Sequence, residues 1–271
     1  MGGIMMPYMA DMAQQGYVTP NTIPNLSLWY NGSTSATVVN GVSTNNFNTA
    51  VSNGTSISSW IDLSGAGHAA NVNGGTGKEP NYATPIQNGL GALFYTSSNS
   101  ENLDINPIAW MGSLTGFTIY VLARPTVLPV TAFPLTVTDT STGIWWNGTN
   151  YSLGVTAGNR GTATVTNDTT KFHSYGMIYD GSQTGNANRL TFRYDRAAQT
   201  LSFTGTIPAT TGSPAYFYFG GNNRSGGAGG ALASTYMDGY IGEILIWTRT
   251  LTGSEVASVE YYLNQKWGLG L

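Results

Sequence analysis

The sequence predicts an all-β protein: an antiparallel sandwich of two sheets, with one short C-terminal helix and an extended N-terminal arm. Three observations lead to this fold class. Short β-rich runs recur from residue 26 onward, turn-forming Asn-Gly pairs separate them, and one helical pattern occurs, at the end of the chain. The 271 residues are enough to bury a sizeable core as one domain without disulfides.

The first 25 residues form a segment of their own, and residues 26–271 form the predicted domain. Pro7, Pro20 and Pro24 interrupt any continuous helix or central strand in the segment. Flexible Met side chains adapt well to the surface of another protein. We therefore expect an arm that anchors or assembles the domain. Its expected contact residues are Met5, Met6, Tyr8, Met9, Met12 and Tyr17.

The strands are predicted from runs rich in β-branched and aromatic residues. Residues 190–195 alternate apolar and polar side chains, as a half-buried strand does. Residues 201–204 follow after a short turn, which predicts a hairpin between these two runs. The other predicted strands are residues 117–123, 175–179, 216–219 and Gly239–Trp247.

Tight turns are predicted at six Asn-Gly pairs, because both residues tolerate positive φ. The pairs begin at Asn31, Asn40, Asn53, Asn73, Asn88 and Asn147.

The C-terminal helix is predicted from its start signal. Thr252 and Glu255 have the spacing of a capping box, and Gly268 marks the end. Apolar residues then recur at helical spacing and predict a stripe that packs on the sandwich. These residues are Val256, Val259, Tyr262, Leu263 and Trp267.

The end of the chain also carries a family resemblance. The Asp-Gly at 238–239, the Gly-Glu-Ile at 242–244 and the Lys-Trp-Gly at 266–268 resemble the ending of laminin-G-like, concanavalin A-like jelly-roll domains. Further segments that resemble the family are residues 60–68, 80–82, 91–94 and 219–221. The resemblance implies a jelly-roll sandwich over residues 26–271. Members of this family serve as carbohydrate-binding modules, adhesion domains and parts of phage virions.

The composition excludes several function classes. Charged residues make up only 8% of the chain, and ten basic residues are scattered without the stripe that nucleic acid binding needs. No window is apolar for long enough to predict a membrane span. Residues 1–20 contain no Lys or Arg, so no secretion signal is expected. The absence of cysteine fits assembly in a reducing cytoplasm.

Catalysis is not expected from these residues. Glycosidases on related folds need two neighbouring carboxylates, whereas Glu243 has only Asp238 near it in sequence. The resemblance implies that Glu243 and His173 are structural residues. His68 and His173 lie in no metal-spaced cluster, and no catalytic or metal-binding residue is predicted.

Calcium is a weaker alternative, because some laminin-G-like domains bind it between loops. The candidate oxygen ligands are Asp62, Asp104, Asp168 and Asp180. Turn capping by these side chains is the favoured interpretation, so no cofactor is expected.

Aromatic residues near a predicted turn offer a ligand or contact surface. Trp145, Trp146 and Tyr151 could stack on a sugar or anchor a protein contact. Core packing of one of the adjacent tryptophans is the alternative, because neighbours on a strand face opposite sides. Trp60, Trp247 and Trp267 are expected in the core.

Two functions remain open. The first is a non-enzymatic virion structural protein of a tailed phage, assembled in the host cytoplasm. It would decorate the capsid, attach through residues 1–25 to the major capsid protein or neighbouring copies, and form a homo-oligomer. A trimer would suit a capsid site of local threefold symmetry. The alternative is a carbohydrate- or host-receptor-binding module of a tail appendage or adhesin.

Overall fold

The computed structural model describes residues 18–33, 38–39, 51–72, 76–127, 130–137, 143–148, 150–156, 158–166, 168–212, 216–222 and 235–271. Within these ranges, residues 38–39, 130–137, 145–148, 222 and 235 are described by their backbone alone. Two large antiparallel sheets pack face to face, and a C-terminal helix lies on the outside of one of them. The predicted all-β sandwich with a C-terminal helix is therefore confirmed.

The described strands, in chain order, are β1 (Leu26–Asn31), β2 (Val38–Val39), β3 (Ser59–Trp60), β4 (Ala70–Val72), β5 (Asn81–Gln87), β6 (Leu90–Tyr95), β7 (Leu103–Ile105), β8 (Gly116–Pro125), β9 (Val130–Val137), β10 (Gly143–Gly148), β11 (Asn150–Thr156), β12 (Asn159–Thr164), β13 (His173–Asp180), β14 (Leu190–Tyr194), β15 (Ala197–Gln199), β16 (Ser202–Thr204), β17 (Phe217–Phe219), β18 (Gly221–Asn222), β19 (Thr235–Tyr236) and β20 (Gly239–Trp247). The helices are α1 (Asn186–Arg189), α2 (Gly253–Trp267) and 3-10 turns at Pro20–Thr22, Ser97–Asn99 and Ala109–Met111.

The first sheet has the order β15-β14-β13-β8-β20-β6-β5, and β1 also pairs with β20. The second sheet has the order β16-β12-β11-β10-β9-β17-β7-β4-β3-β2, and β18 and β19 form a small separate ribbon. Strands β8 and β20, which are far apart in sequence, are neighbours at the centre of the first sheet.

Strand β8 shows why the centre of the first sheet is so apolar. Phe117, Ile119 and Val121 face the second sheet and join the core between the sheets. Tyr120 and Leu122, at the alternate positions, face outward and pack with α2. The strand is therefore buried on both faces, which explains a run of apolar residues without the polar alternation of a surface strand.

Helix α2 follows its sequence signals closely. Thr252 Oγ1 accepts a hydrogen bond from the Glu255 N–H, and Glu255 accepts one from the Thr252 N–H, which completes the capping box. Gly268 ends the helix in the left-handed region, at φ 60°. The five residues of the predicted apolar stripe are all buried against the first sheet.

The predicted hairpin between residues 190–195 and 201–204 is wrong. Strand β14 turns back at Asp195 and Arg196, which have φ values of 46° and 68°, and pairs with β15 instead. Strand β16 crosses to the second sheet and pairs with β12. The turn was not evident from the sequence because it uses two non-glycine residues at positive φ.

The Asn-Gly pairs behave in different ways. Asn88 and Gly89 have φ values of 49° and 75° and join β5 to β6 as a two-residue hairpin turn, as predicted. Asn31-Gly32 instead ends β1 beside β20, where the Gly32 N–H donates to the Gly242 carbonyl. The pairs at 40–41 and 73–74 lie outside the described residues.

The last part of the predicted arm lies on the domain. Ile23 is buried, and its carbonyl accepts a hydrogen bond from the Trp247 indole at 3.4 Å. The Pro24 carbonyl accepts one from Arg249 Nε at 3.0 Å. Residues 1–17, with all six predicted contact residues of the arm, lie outside the described residues. No helix in the described part of the chain has the length and apolarity needed to cross a membrane.

Candidate functional site

Four side chains line up across the first sheet just beyond the end of α2, and we call them the outer row. Asn81 of β5 is opposite Phe94 of β6, which is opposite Tyr240 of β20, which is opposite Arg124 of β8. Because neighbouring strands are about 4.8 Å apart, the row spans about 14 Å. Along the row, an amide is followed by two aromatic rings and then by a guanidinium.

The outer row faces away from the core. Its neighbours along the strands, Leu93, Ala123 and Ile241, face the second sheet, so the alternate positions face outward. Helix α2 ends at Trp267, whose ring lies over Gly242. All four side chains of the row are only partly buried, so the helix leaves this part of the sheet accessible to solvent.

Arg124 is the distinctive member of the outer row. Its guanidinium carbon lies 4.4 Å from the centre of the Tyr240 ring and 5.4 Å from that of Phe172. Nη1 donates one long hydrogen bond, 3.4 Å, to the Thr170 carbonyl. Nε is buried without a hydrogen-bond partner. Ring contacts and one long hydrogen bond thus hold the guanidinium, and among the described residues its other donors have no partner.

The two rings of the row form a small platform. The centres of Phe94 and Tyr240 are 4.7 Å apart, with an angle of 38° between the ring planes. Partly exposed aromatic rings, flanked by an amide at one end and a guanidinium at the other, combine an apolar surface with directional hydrogen-bond donors. This is chemistry for binding a flat, hydroxyl-rich ligand by contact.

Glu243, in contrast, is sealed between α2 and the first sheet. Its Oε1 accepts hydrogen bonds from the Trp29 indole and the Tyr262 hydroxyl, both at 2.7 Å. Its Oε2 accepts from Lys266 Nζ at 2.8 Å and from the Trp267 indole at 2.7 Å. The role is structural: Glu243 joins helix to sheet and cannot meet a substrate that arrives from solvent.

Lys266 shows the electrostatics of this buried site. Burial lowers the pKa of Lys266, and the charge of Glu243 acts against that effect. Its ammonium also lies 5.3 Å from the centre of the Tyr262 ring. The ion pair is fully enclosed, so each charge depends on the other.

Asp238, which is the one carboxylate near Glu243 in sequence, lies just before β20. Asp238 accepts hydrogen bonds from the Ser97 N–H at 2.8 Å and the Ser97 hydroxyl at 2.5 Å. Nearby Glu101 accepts from the Thr96 N–H at 2.7 Å, and burial raises the pKa of its carboxyl. Both carboxylates hold the turn that follows β6.

Both histidines have structural contacts. His173 is buried, and its Nδ1 lies 2.5 Å from Asp195 Oδ2, at the turn that redirects β14. His68 stacks on Trp110 at 4.6 Å between ring centres, and burial lowers its pKa.

The candidate calcium ligands mainly accept hydrogen bonds from backbone groups of nearby turns. Asp62 accepts hydrogen bonds from the backbone N–H groups of Trp29, Ser64 and His68. Asp168 caps Thr170, and Asp180 caps Ser182. Asp104 lies on β7 of the second sheet. In the described ranges, no three acidic or histidine side chains are close enough together to hold a metal ion.

The structure does not bring the three predicted contact aromatics together on one accessible surface. Tyr151 is completely buried and stacks on Tyr175 with ring centres 5.2 Å apart, so it offers no face to a ligand. Trp145 and Trp146 are on β10, opposite Ser152 and Tyr151. The structure describes only the backbone of these two residues. Trp60, Trp247 and Trp267 are fully buried, as expected.

The outer row was missed from the sequence because its members come from four separate strands. Phe94 lies between Leu93 and Tyr95, and Tyr240 precedes the apolar Ile241, so each looked like part of a buried run. The alternation would have placed both on the outer face, but only the register shows that they are neighbours.

No protein-family model matches this chain, and no curated protein sequence matches it either. Solved structures do resemble it. Domain 4 of AbnA, a GH43 extracellular arabinanase from Geobacillus stearothermophilus, in complex with arabinotriose, has a TM-score of 0.55 at 14% identity. The match covers 87% of this chain and 98% of that domain.

Two further structures are similar over nearly the whole chain. The binding domain of Paraclostridial Mosquitocidal Protein 1 has a TM-score of 0.55 at 13% identity, covering 91% of this chain and 54% of that one. A Trypanosoma rangeli sialidase in complex with sialic acid has a TM-score of 0.51 at 15% identity. This chain spans about a third of the sialidase, with 90% of its own length covered. At these identities the similarity shows the fold alone.

Proposed function

We propose that this domain is a non-catalytic carbohydrate-binding module whose ligand lies along the outer row. The observation that carries the proposal is the row itself: two partly exposed rings, an amide and a guanidinium in register across four strands. Sugars bind to proteins through such ring faces and directional hydrogen bonds. The row is also preformed, because the sheet fixes the spacing of its side chains.

The similar structures support the proposal. Among them is a domain that the match covers over 98% of its length and whose structure is in complex with arabinotriose. The buried position of Glu243 adds support for binding without hydrolysis, because four hydrogen-bond donors enclose its carboxylate.

A glycan array followed by titration of two variants tests the proposal. Phe94→Leu and Tyr240→Leu keep apolar volume but remove the rings, and each should weaken binding of the best array ligand about tenfold or more. Tyr261→Ala removes an exposed aromatic residue of α2, outside the row, and should leave affinity unchanged. Equal affinity in all four proteins, or no ligand on the array, would contradict the proposal.

Assembly on a phage capsid through the N-terminal arm stays a second proposal. The low content of charged residues favours it, because unpaired charges are costly in a large contact. A truncated variant that lacks residues 1–17 tests the role of the arm. It keeps the contacts of Ile23 and Pro24 with the domain. This variant should fold but fail to form a homo-oligomer or bind capsids. Normal assembly of the truncated protein would contradict the role of the arm.

A further inference from the structure

Arg124 differs from the arginines that pair with acids. Arg193 Nε lies 2.5 Å from Glu260, and Arg249 Nη2 lies 2.6 Å from Glu255. Across the ranges that the structure describes, no acidic side chain forms an ion pair with Arg124. A partly buried guanidinium is thus present at the surface without a counter-ion.

The geometry of Arg124 suits one kind of anion. A guanidinium is a planar fork whose N–H groups bind both oxygens of a carboxylate at once. The guanidinium carbon lies 4.4 Å from the centre of the Tyr240 ring, and this contact restrains the position of the fork before any ligand arrives. The single long hydrogen bond to Thr170 leaves donors available for such a ligand.

The neighbours of Arg124 indicate what else the anion carries. Tyr240 lies one strand away and Phe94 two strands away, at steps of about 4.8 Å. In a uronic acid, the carboxylate is attached directly to the sugar ring. A carboxylate held by Arg124 therefore brings its ring toward the exposed parts of Tyr240 and Phe94.

We infer that the outer row selects an acidic sugar, with the carboxylate of a uronic acid paired to Arg124 and its ring against the Phe94–Tyr240 platform. This rests on the proposed function, because it names the ligand class of the same row. Asn81, at the far end, then faces the next sugar along the chain and donates or accepts hydrogen bonds to its hydroxyl groups.

A purely structural role for Arg124 makes a different prediction. Its side chain covers Phe172, which is only 1% exposed, and long basic side chains often cover apolar surface in this way. If this were its whole role, acidic and neutral sugars would bind equally. Selectivity for the carboxylate therefore separates the two roles.

The test compares oligosaccharides of glucuronate or galacturonate with their methyl esters and with neutral glucose and galactose counterparts, by calorimetric titration of the full chain. We expect the acids to bind at least tenfold more tightly than the esters. Arg124→Gln should remove this preference, so that the acid and its methyl ester then bind with equal affinity. Arg124→Lys, which keeps the charge but not the fork, should restore only part of the preference and serves as a second variant if Arg124→Gln folds poorly.

Arg160→Ala is the matched control. Arg160 is an exposed arginine on β12 of the second sheet, and its removal should change neither affinity nor selectivity. Equal binding of acids, esters and neutral sugars would overturn the inference while the proposed function stood. Failure of every sugar to bind would overturn both. Competition by inorganic sulfate as strong as that by glucuronate would indicate a bare anion site and contradict the sugar class.

Discussion

Two cations lie over aromatic rings on the outer face of the first sheet, and they differ in what else they contact. Lys266, on the buried side of α2, lies near the Tyr262 ring and pairs with Glu243 at 2.8 Å. Arg124, beyond the end of α2, lies over the Tyr240 ring and pairs with no acid in the described part of the chain. A fully buried cation needs a partner within the fold, whereas a partly exposed one can keep its donors for a ligand. The face is therefore structural where the helix covers it and available for contact where the helix ends.

The largest expected effect concerns the part of the outer face that α2 covers. Glu243→Ala leaves Lys266 buried without its counter-ion and removes the acceptor of two indoles and a hydroxyl. We expect the free energy of unfolding to fall by about 3–5 kcal/mol, measured by urea denaturation. A fall below about 1 kcal/mol would show that the buried pair does not hold the helix to the sheet.

A double variant sharpens this result. Glu243→Leu with Lys266→Met removes both charges together, so neither is left unpaired. The double variant should be clearly more stable than Glu243→Leu alone, because apolar replacements of a whole buried pair are often tolerated. Equal stability of the two proteins would contradict the assignment of the loss to an unpaired Lys266.

The next effect tests the contact at which the helix ends. Gly242→Ala would place a Cβ 2.6 Å from the Trp267 ring, so the ring must shift. We expect a loss of about 1–3 kcal/mol in the same denaturation measurement. Gly253→Ala is the control, because no atom lies within 4 Å of its added Cβ and alanine suits a helix. If both variants unfold at the same denaturant concentration, Trp267 does not pack on Gly242.

A smaller effect depends on pH. Arg249 and the capping box hold the pKa of the Glu255 carboxyl at about 2, below its usual 4.5. Because the folded-state pKa is depressed, the stabilisation is present above pH 4.5 and is lost as the pH falls toward 2. Wild type should exceed Glu255→Gln by about 1 kcal/mol at neutral pH, and the difference should shrink through that window. A difference that stays constant from pH 5 to pH 2 would exclude the ionised carboxylate as its cause.

The smallest expected effect concerns the part of the outer face beyond the end of α2, where Arg124 lies. Arg124→Gln should change the free energy of unfolding by no more than about 1 kcal/mol, because the change removes ring contacts of a partly exposed cation and one long hydrogen bond to Thr170. Thermal and urea unfolding measure this directly. A loss comparable to that of Glu243→Ala would place Arg124 with the structural residues and weaken its assignment to a ligand.

The parts of this protein that were predictable from sequence depend on local rules. The helix from Gly253 was predictable because Thr252 and Glu255 are three residues apart and their capping box is local. The turn at Asn88 was predictable because its two residues favour positive φ. Strand β16 was not predictable as a member of the second sheet, because its partner β12 lies about forty residues earlier and the register is a long-range property.

The candidate site could not be predicted from the sequence. Trp145, Trp146 and Tyr151 looked like a surface because they are adjacent to an Asn-Gly turn, yet Tyr151 belongs to the core. Phe94, Arg124 and Tyr240 gave no local signal, since their common row exists only through the pairing of β6, β8 and β20. The bulge between Ile241 and Glu243 then shifts the register of β20, so that Glu243, three residues after Tyr240, lies on the same outer face under α2.

The most direct test of the central claim is nuclear magnetic resonance of the Arg124 Nε–H group and the Phe94 and Tyr240 rings during titration with the best array ligand. The account predicts that these three signals shift together and saturate with one dissociation constant, while the Arg160 Nε–H signal stays fixed. Shifts confined to the second sheet, with the signals of Phe94, Arg124 and Tyr240 unchanged, would contradict it.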